Sequence, residues 1–226
     1  MKKIFNILIC LLFIFVLVFG INGTYRILKS VSAHSNARTT VVIDAGHGGK
    51  DCGTIGIDGT EEKKINLEIA LALRDFLEVS GINTKMTRKG DYELYPDGSD
   101  KSRSDLYNRL DFVNSTPNSI LISIHQNHYT DESAWGSQIW FSPNDNISKH
   151  YADIILNNVK SLLQSDNERI NKKSDNSYYI LYKAKVPSIM IECGFMSNRN
   201  DNDNLKNREY QRKYAYSVLT GICGEI

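Results

Sequence analysis

Five short, β-branched apolar runs, at residues 40–44, 82–87, 119–124, 137–141 and 186–191, alternate along this chain with stretches whose apolar residues recur at helical spacing. The runs are almost continuously apolar, the pattern of strands buried on both faces. Between the first two, Ile65, Ile69, Leu73, Phe76 and Leu77 form a helical stripe that Gly81 stops. Similar stripes cover residues 106–113, 151–163 and 205–222. This alternation predicts an α/β sheet with helices on both faces. A chain of 226 residues suits one such domain, expected over residues 40–226. The polar insertions at residues 91–103 and 165–177 read as long loops, which in compact domains tend to carry function.

The N-terminus stands apart from this pattern. Lys2 and Lys3 precede an apolar run from Ile4 to Ile21, so residues 1–25 read as a signal peptide or membrane anchor and residues 26–39 as a linker. With no small-residue cleavage site close behind the run, a retained anchor is favoured. Ile9 before Cys10 argues against a lipoprotein signal. Either reading makes the domain exported, at the cell envelope. Residues 1–25 hold no acid, which leaves 25 basic against 26 acidic residues in the remainder and no basic patch for nucleic acid. The remaining cysteines, Cys52, Cys193 and Cys223, are odd in number and irregularly spaced, so packing rather than a disulfide framework must hold the fold.

Ligands of open α/β sheets bind outside the carboxyl ends of the strands. The first strand leads into Asp44-Ala45-Gly46-His47-Gly48-Gly49, the third into His125-Gln126-Asn127 and the last into Glu192-Cys193-Gly194-Phe195. The first helix begins on the same edge with Glu61 and Glu62. A hydrolytic zinc takes three nitrogen or oxygen ligands and keeps one position open, and His47, Glu62 and His125 meet that demand. Glycines beside His47 allow close approach of the backbone. Glu192 is the candidate acid/base. The competing reading is strand-end histidines with ordinary partners and a helix-capping glutamate, and Glu61 competes with Glu62 for the ligand role, although the inward face set by Ile65 and Ile69 favours Glu62.

The residues closely resemble a known family. Asp44-Ala-Gly-His-Gly-Gly, the helix start Glu62-Lys-Lys-Ile-Asn-Leu67, Thr87-Arg88 with Asp91, Arg109 to Asn114, Ser123-Ile-His-Gln-Asn127 and Glu192-Cys-Gly-Phe-Met-Ser-Asn198 look like the zinc N-acetylmuramoyl-L-alanine amidases, over residues 40–226. The resemblance implies a mixed, mostly parallel sheet of about six strands, one Zn2+ held by His47, Glu62 and His125, and Glu192 as catalytic acid/base. The implied substrate is the peptidoglycan amide joining the lactyl group of N-acetylmuramic acid to L-alanine. A short catalytic domain behind one apolar segment further resembles the spore-cortex amidases that prepare muramic-δ-lactam during sporulation for germination. Without a wall-binding module, such an enzyme depends on its anchor or on an accessory exported protein. The chain departs from the family pattern at Lys64, Gln126 and His128.

Other residues carry two readings each. Arg88 and Asn127 are candidate substrate contacts; Arg88 equally suits a structural ion pair with Asp91, and Asn127 and Asp44 suit support of the ligands. His128, His34 and His150 read as surface residues, and Cys193 as packing rather than a nucleophile. Asp51 after Lys50 excludes a phosphate loop, which requires Ser or Thr there. Trp135, Trp140, Tyr129, Tyr178, Tyr179 and Tyr182 gather near the proposed edge, where aromatic faces suit sugar rings. Two rival functions remain: a peptidoglycan-binding domain without activity, and a zinc hydrolase cutting another peptidoglycan bond.

Overall fold

The computed structural model describes residues 39–95 and 105–226. The N-terminal segment, nearly all of the linker and part of the 91–103 insertion lie outside the described residues. From Thr39 to Ile226 the chain forms one compact unit around a six-stranded sheet of order β2-β1-β3-β6-β4-β5. The strands are β1 (Thr40–Ala45), β2 (Thr84–Met86), β3 (Ser119–Asn127), β4 (Gln138–Phe141), β5 (Lys172–Lys173) and β6 (Ser188–Phe195). All neighbouring pairs are parallel except β4 with β6, so the sheet is mixed and mostly parallel, as the resemblance implies. The helices are α1 (Glu62–Val79), α2 (Asp105–Asn114), α3 (Ile147–Leu163), α4 (Tyr179–Lys183), α5 (Arg199–Lys206) and α6 (Arg208–Ile222). Among the described residues no helix is long and apolar enough to cross a membrane.

Strand alternation sorts the side chains into two layers. Val41, Ile43, Ile120, Ile122, Ile124, Ile189 and Ile191 face the larger core, where α1, α3 and α6 supply Ile69, Leu73, Ile155, Val159, Tyr214 and Val218. Val42, Leu121 and Met190 face a smaller core closed by Leu110 and Val113 of α2 and Ile180 and Leu181 of α4. Continuing that second parity toward the strand ends gives Asp44, Ser123, His125 and Glu192. The sheet therefore presents its chemistry on the face that, among the described residues, the short helices α2 and α4 cover.

Several elements differ from their expected form. The third and last strands run on through His125-Gln126-Asn127 and Glu192-Cys193-Gly194-Phe195, so these residues are strand members rather than loop residues. The 205–222 stripe is two helices, because Asn207 is extended (φ −76°, ψ 120°) and its side chain accepts from the N–H groups of Glu209 and Tyr210, an N-cap that starts a new helix. The 165–177 insertion contains β5, and the short α4 follows it. Lys172 and Lys173 are both exposed, a polar edge pairing that carries no apolar signal.

Ile122 lies in central β3 and is wholly buried. Replacing it with alanine removes packing on the larger core face, and Ile122→Ala is expected to lower stability by about 2–5 kcal/mol, read as a fall in the urea unfolding midpoint without a change in slope.

Candidate metal centre

His47 leaves β1 two residues after its last member, at φ +62°, a left-handed conformation unusual for a residue with a side chain. Its Nε2 lies 3.3 Å from Glu62 Oε2, and its Nδ1 lies 2.7 Å from Asp51 Oδ2. His125 Nδ1 lies 3.1 Å from Glu62 Oε1. One donor atom from each of His47, Glu62 and His125 falls within 4.8 Å of the others. The two imidazoles meet edge to face at 4.9 Å between centroids.

Glu62 is almost completely buried. Burying a carboxylate is costly unless its oxygens are satisfied, and here both are. Oε2 accepts from the Thr54 N–H at 2.9 Å; Oε1 accepts from Asn66 Nδ2 at 3.1 Å and from the Gln126 N–H at 3.0 Å. The Gln126 bond forms where the register between β3 and β6 shifts. Gln126 Nε2 also donates to Asn66 Oδ1, which ties the amide of α1 to β3. Glu61 instead pairs with Lys64 at 2.9 Å near the surface, so the structure brings Glu62, not Glu61, into the cluster.

Burial alone would raise the Glu62 pKa, but the two histidines hold it well below the usual carboxylate range. Burial pulls His47 down, yet its hydrogen bonds to Glu62 and Asp51 hold it up at about 9. Glu192 lies beside His125 in register across β3 and β6. It is about 9% exposed, and its Oε2 is buried with no hydrogen-bond partner. Burial pushes its pKa up to about 7, against the pull of the nearby His125.

The cluster fits a cation on its own geometry. A Cβ at Gly46 would stand 2.2 Å from His125 Nε2, and one at Gly53 would stand 2.6 Å from both Glu62 Oε2 and His47 Cδ2. Only glycine leaves room for the side chains to converge. Two imidazoles and a carboxylate, with a second carboxyl alongside whose buried Oε2 has no partner, are the donor set of an open hydrolytic zinc site.

Below the cluster, Asp44 accepts from Thr87 Oγ1, Ser123 Oγ and Arg109 Nη1, each at 2.7 Å. Arg109, on α2, also donates to the Ala45 and His47 carbonyls at 2.7 and 2.6 Å and to Asp105 at 2.5 Å. The support expected of Asp44 thus runs through the backbone that carries His47. Arg88 differs from its expected role. It is wholly buried, and its guanidinium donates to the carbonyls of Ala45, Gly46, Lys63 and Gly90, so it holds the turn from within and offers no face to a substrate. Asp91 pairs with Lys63 at 2.9 Å instead. Asn127 is half-buried at the end of β3, and its Oδ1 accepts from the His128 N–H.

A cavity of about 390 Å³ opens beside His47 and His125, walled by Leu106, Tyr178, Tyr179, Ile180 and Met190. Tyr178 stacks on Trp140 at 4.4 Å, so that indole face is covered rather than open to a sugar. Cys193 is completely buried, burial pushes its thiol well above the usual range, and it takes the packing role expected. His128 is exposed, and His150 pairs with Glu225 at 2.9 Å near the surface; His34 lies outside the described residues. Sequence reasoning did not single out Asn66, Asp51 or Arg109 as site residues; their roles rest on individual side-chain hydrogen bonds to Glu62, His47 and the strand-end backbone, which leave no periodic signal.

A family model described as N-acetylmuramoyl-L-alanine amidase matches residues 41–224. The chain belongs to that amidase family. The germination-specific N-acetylmuramoyl-L-alanine amidase of Bacillus subtilis is 30% identical, across 80% of this chain and 77% of that one. The CwlD amidase of Clostridioides difficile, solved in complex with the GerS lipoprotein, superposes with a TM-score of 0.76 at 33% identity, across 81% of this chain and 96% of that one. The amidase AmiC2 of Nostoc punctiforme gives 0.71 at 29% identity, across 83% and 97%. This amidase is therefore a hydrolase of peptidoglycan, and the rival reading of an inactive binding domain recedes.

Burial raises the Asp44 pKa, but Arg109, with His125, Ser123 and Thr87, outweighs it and holds the carboxyl well below the usual range. A group depressed on folding contributes stability above its unfolded pKa, about 4, and loses it as pH falls through the folded value. Asp44→Asn leaves the Arg109 guanidinium buried without its main partner. The variant is expected to be about 3–5 kcal/mol less stable near neutral pH. The gap to the parent should narrow below about pH 4, as followed by denaturant unfolding at a series of pH values.

Proposed function

We propose that this amidase is zinc-dependent, with His47, Glu62 and His125 as the ligands and Glu192 as the catalytic acid/base, cleaving the amide between N-acetylmuramic acid and L-alanine. One observation carries the reading: three donor groups within 4.8 Å of one another, with a buried carboxyl of one unpartnered oxygen on the strand adjacent to His125. When bound, zinc supplies Lewis acidity toward the amide carbonyl and water. The rest is work for the chain. Glu192, its pKa pushed up to about 7 by burial, takes a proton from the attacking water and returns it to the departing alanine nitrogen. The apolar and aromatic wall from Leu106 to Met190 excludes bulk water and seats the lactyl and alanyl methyl groups.

The relatives lend support to a finer setting. Kinship with a germination-specific amidase and with CwlD supports a role in spore cortex, where removal of the stem peptide readies muramic acid for δ-lactam formation. The CwlD structure with a lipoprotein supports an accessory exported partner, and Lys2, Lys3 and the apolar run after them support an envelope location through a retained anchor.

The test is digestion of peptidoglycan by the purified protein, read by mass spectrometry. Expected products are free stem peptides beginning with alanine and glycan bearing a bare lactyl group, lost with a chelator and regained with zinc. Cleavage that survives chelation refutes zinc dependence, and products cut elsewhere refute the bond assignment. Glu192→Gln should lose activity by about 10²- to 10⁴-fold while keeping one equivalent of zinc, whereas Glu62→Ala should lose both. If deletion of the gene leaves cortex muramic-δ-lactam unchanged, the spore assignment fails.

A further inference from the structure

We infer that Asp51 is a positioning residue for the metal site, fixing the tautomer and orientation of His47; this rests on the zinc reading above. Gly48 and Asp51 exchange backbone hydrogen bonds at 2.9 and 3.1 Å, which closes a tight loop and returns the Asp51 carboxylate to the histidine four residues back. Its two oxygens are then divided. Oδ2 lies 2.7 Å from His47 Nδ1, and Oδ1 accepts from the Gly53 N–H at 3.0 Å. A carboxylate only accepts, so the short contact keeps a ring hydrogen on Nδ1 and makes Nε2, 3.3 Å from Glu62 Oε2, the nitrogen that gives up its proton to bind a cation. The second oxygen holds the loop at Gly53, the residue whose missing Cβ makes room for both Glu62 and His47. One side chain thus sets the ring and the wall it faces.

The need for a positioning group follows from His47 itself. It lies past the end of β1 in a left-handed conformation, and its side chain is 25% exposed, so strand pairing and packing do not fix the ring. His125, by contrast, is a member of β3. Asparagine cannot replace Asp51, because its single carbonyl oxygen can serve His47 or Gly53 but not both, and its amide turned toward Nδ1 would select the opposite tautomer.

The test compares zinc affinity of the full chain, by competition with a chromophoric chelator, for the parent, Asp51→Asn, Asp51→Ala and Asp51→Glu, together with the visible spectrum of each protein loaded with Co2+. The Asp51 side chain is 59% exposed, which places the loss toward the lower end of the usual range for such partners. Both Asn and Ala are expected to weaken zinc binding by about 10-fold or more and to shift the cobalt bands, with the metal-free unfolding midpoint unchanged. Glu, which keeps two acceptor oxygens, should recover part of the affinity. Parent-like affinity and spectra in Asn and Ala overturn the inference. So does a loss of affinity matched by a lower metal-free midpoint and unrelieved by Glu, which would make the role structural. Failure of the parent to bind zinc, or binding that survives Glu62→Ala, sinks the underlying zinc reading instead.

Discussion

The buried carboxylate of Glu62 is the constraint around which the amidase site is arranged. An anion in that position is tolerable only if donors surround it, and its donors come from segments far apart in the chain: the Thr54 loop, Asn66 one turn along α1, the Gln126 backbone in β3, and both histidines. Meeting the demand of one side chain therefore fixes how the loop after β1, the start of α1 and the end of β3 meet. The same arrangement makes a cation welcome. Two imidazoles and one carboxylate converge on a common gap, and the hydrogen bonds that satisfy Glu62 also hold its two oxygens in place.

Asp44 performs a related task one layer down. It is buried on the β1 face that also carries Val42, and it draws Arg109 of α2 across the strand ends. Arg109 spends its remaining donors on the Ala45 and His47 carbonyls, while Arg88 occupies the Ala45, Gly46 and Lys63 carbonyls from another side. Backbone carbonyls at a strand end that turns sharply lose their ladder partners and must be satisfied by something else. Two buried guanidinium groups do so here, each with several donors in a fixed plane, a task to which lysine is less suited. The left-handed conformation of His47 is affordable because the carbonyls around it are held in this way.

The outline of the fold was legible because burial imposes periodicity. Ile65, Ile69, Leu73 and Leu77 repeat at helical spacing and all reach the core, and the apolar runs at residues 40–44 and 119–124 announce strands covered on both faces. What escaped the sequence obeys no period. β5 consists of two exposed lysines on an edge, and α4 is five residues long. The split at Asn207 depends on one side chain capping a helix inside an otherwise continuous stripe. Within the site, His47, Glu62, His125 and Glu192 could be placed together because strand ends share an edge. Arg88 was misjudged because sequence order shows a charge near a site without showing whether it points inward, and the deciding facts are its complete burial and its carbonyl partners.

The two faces of the sheet divide the labour of stability and chemistry. One carries α1, α3 and α6 and most of the large buried aliphatics, and dispersion and water exclusion across that layer supply the bulk of the cohesion. The other is thinly covered by α2 and α4, so polar groups at the strand ends can be buried deeply while still lying beside an open cavity. Glu192 depends on that division. A carboxyl with one oxygen buried and unpartnered opposes folding, and it is tolerated in β6 because the residues on either side, Ile191 and Cys193, are locked into the opposite core with no exposure. The strand thus uses alternate residues for opposite ends: those facing the thick layer hold β6 in place, and that anchorage allows its neighbour to keep a poorly solvated acid beside two histidines, where burial shifts its proton affinity toward neutrality.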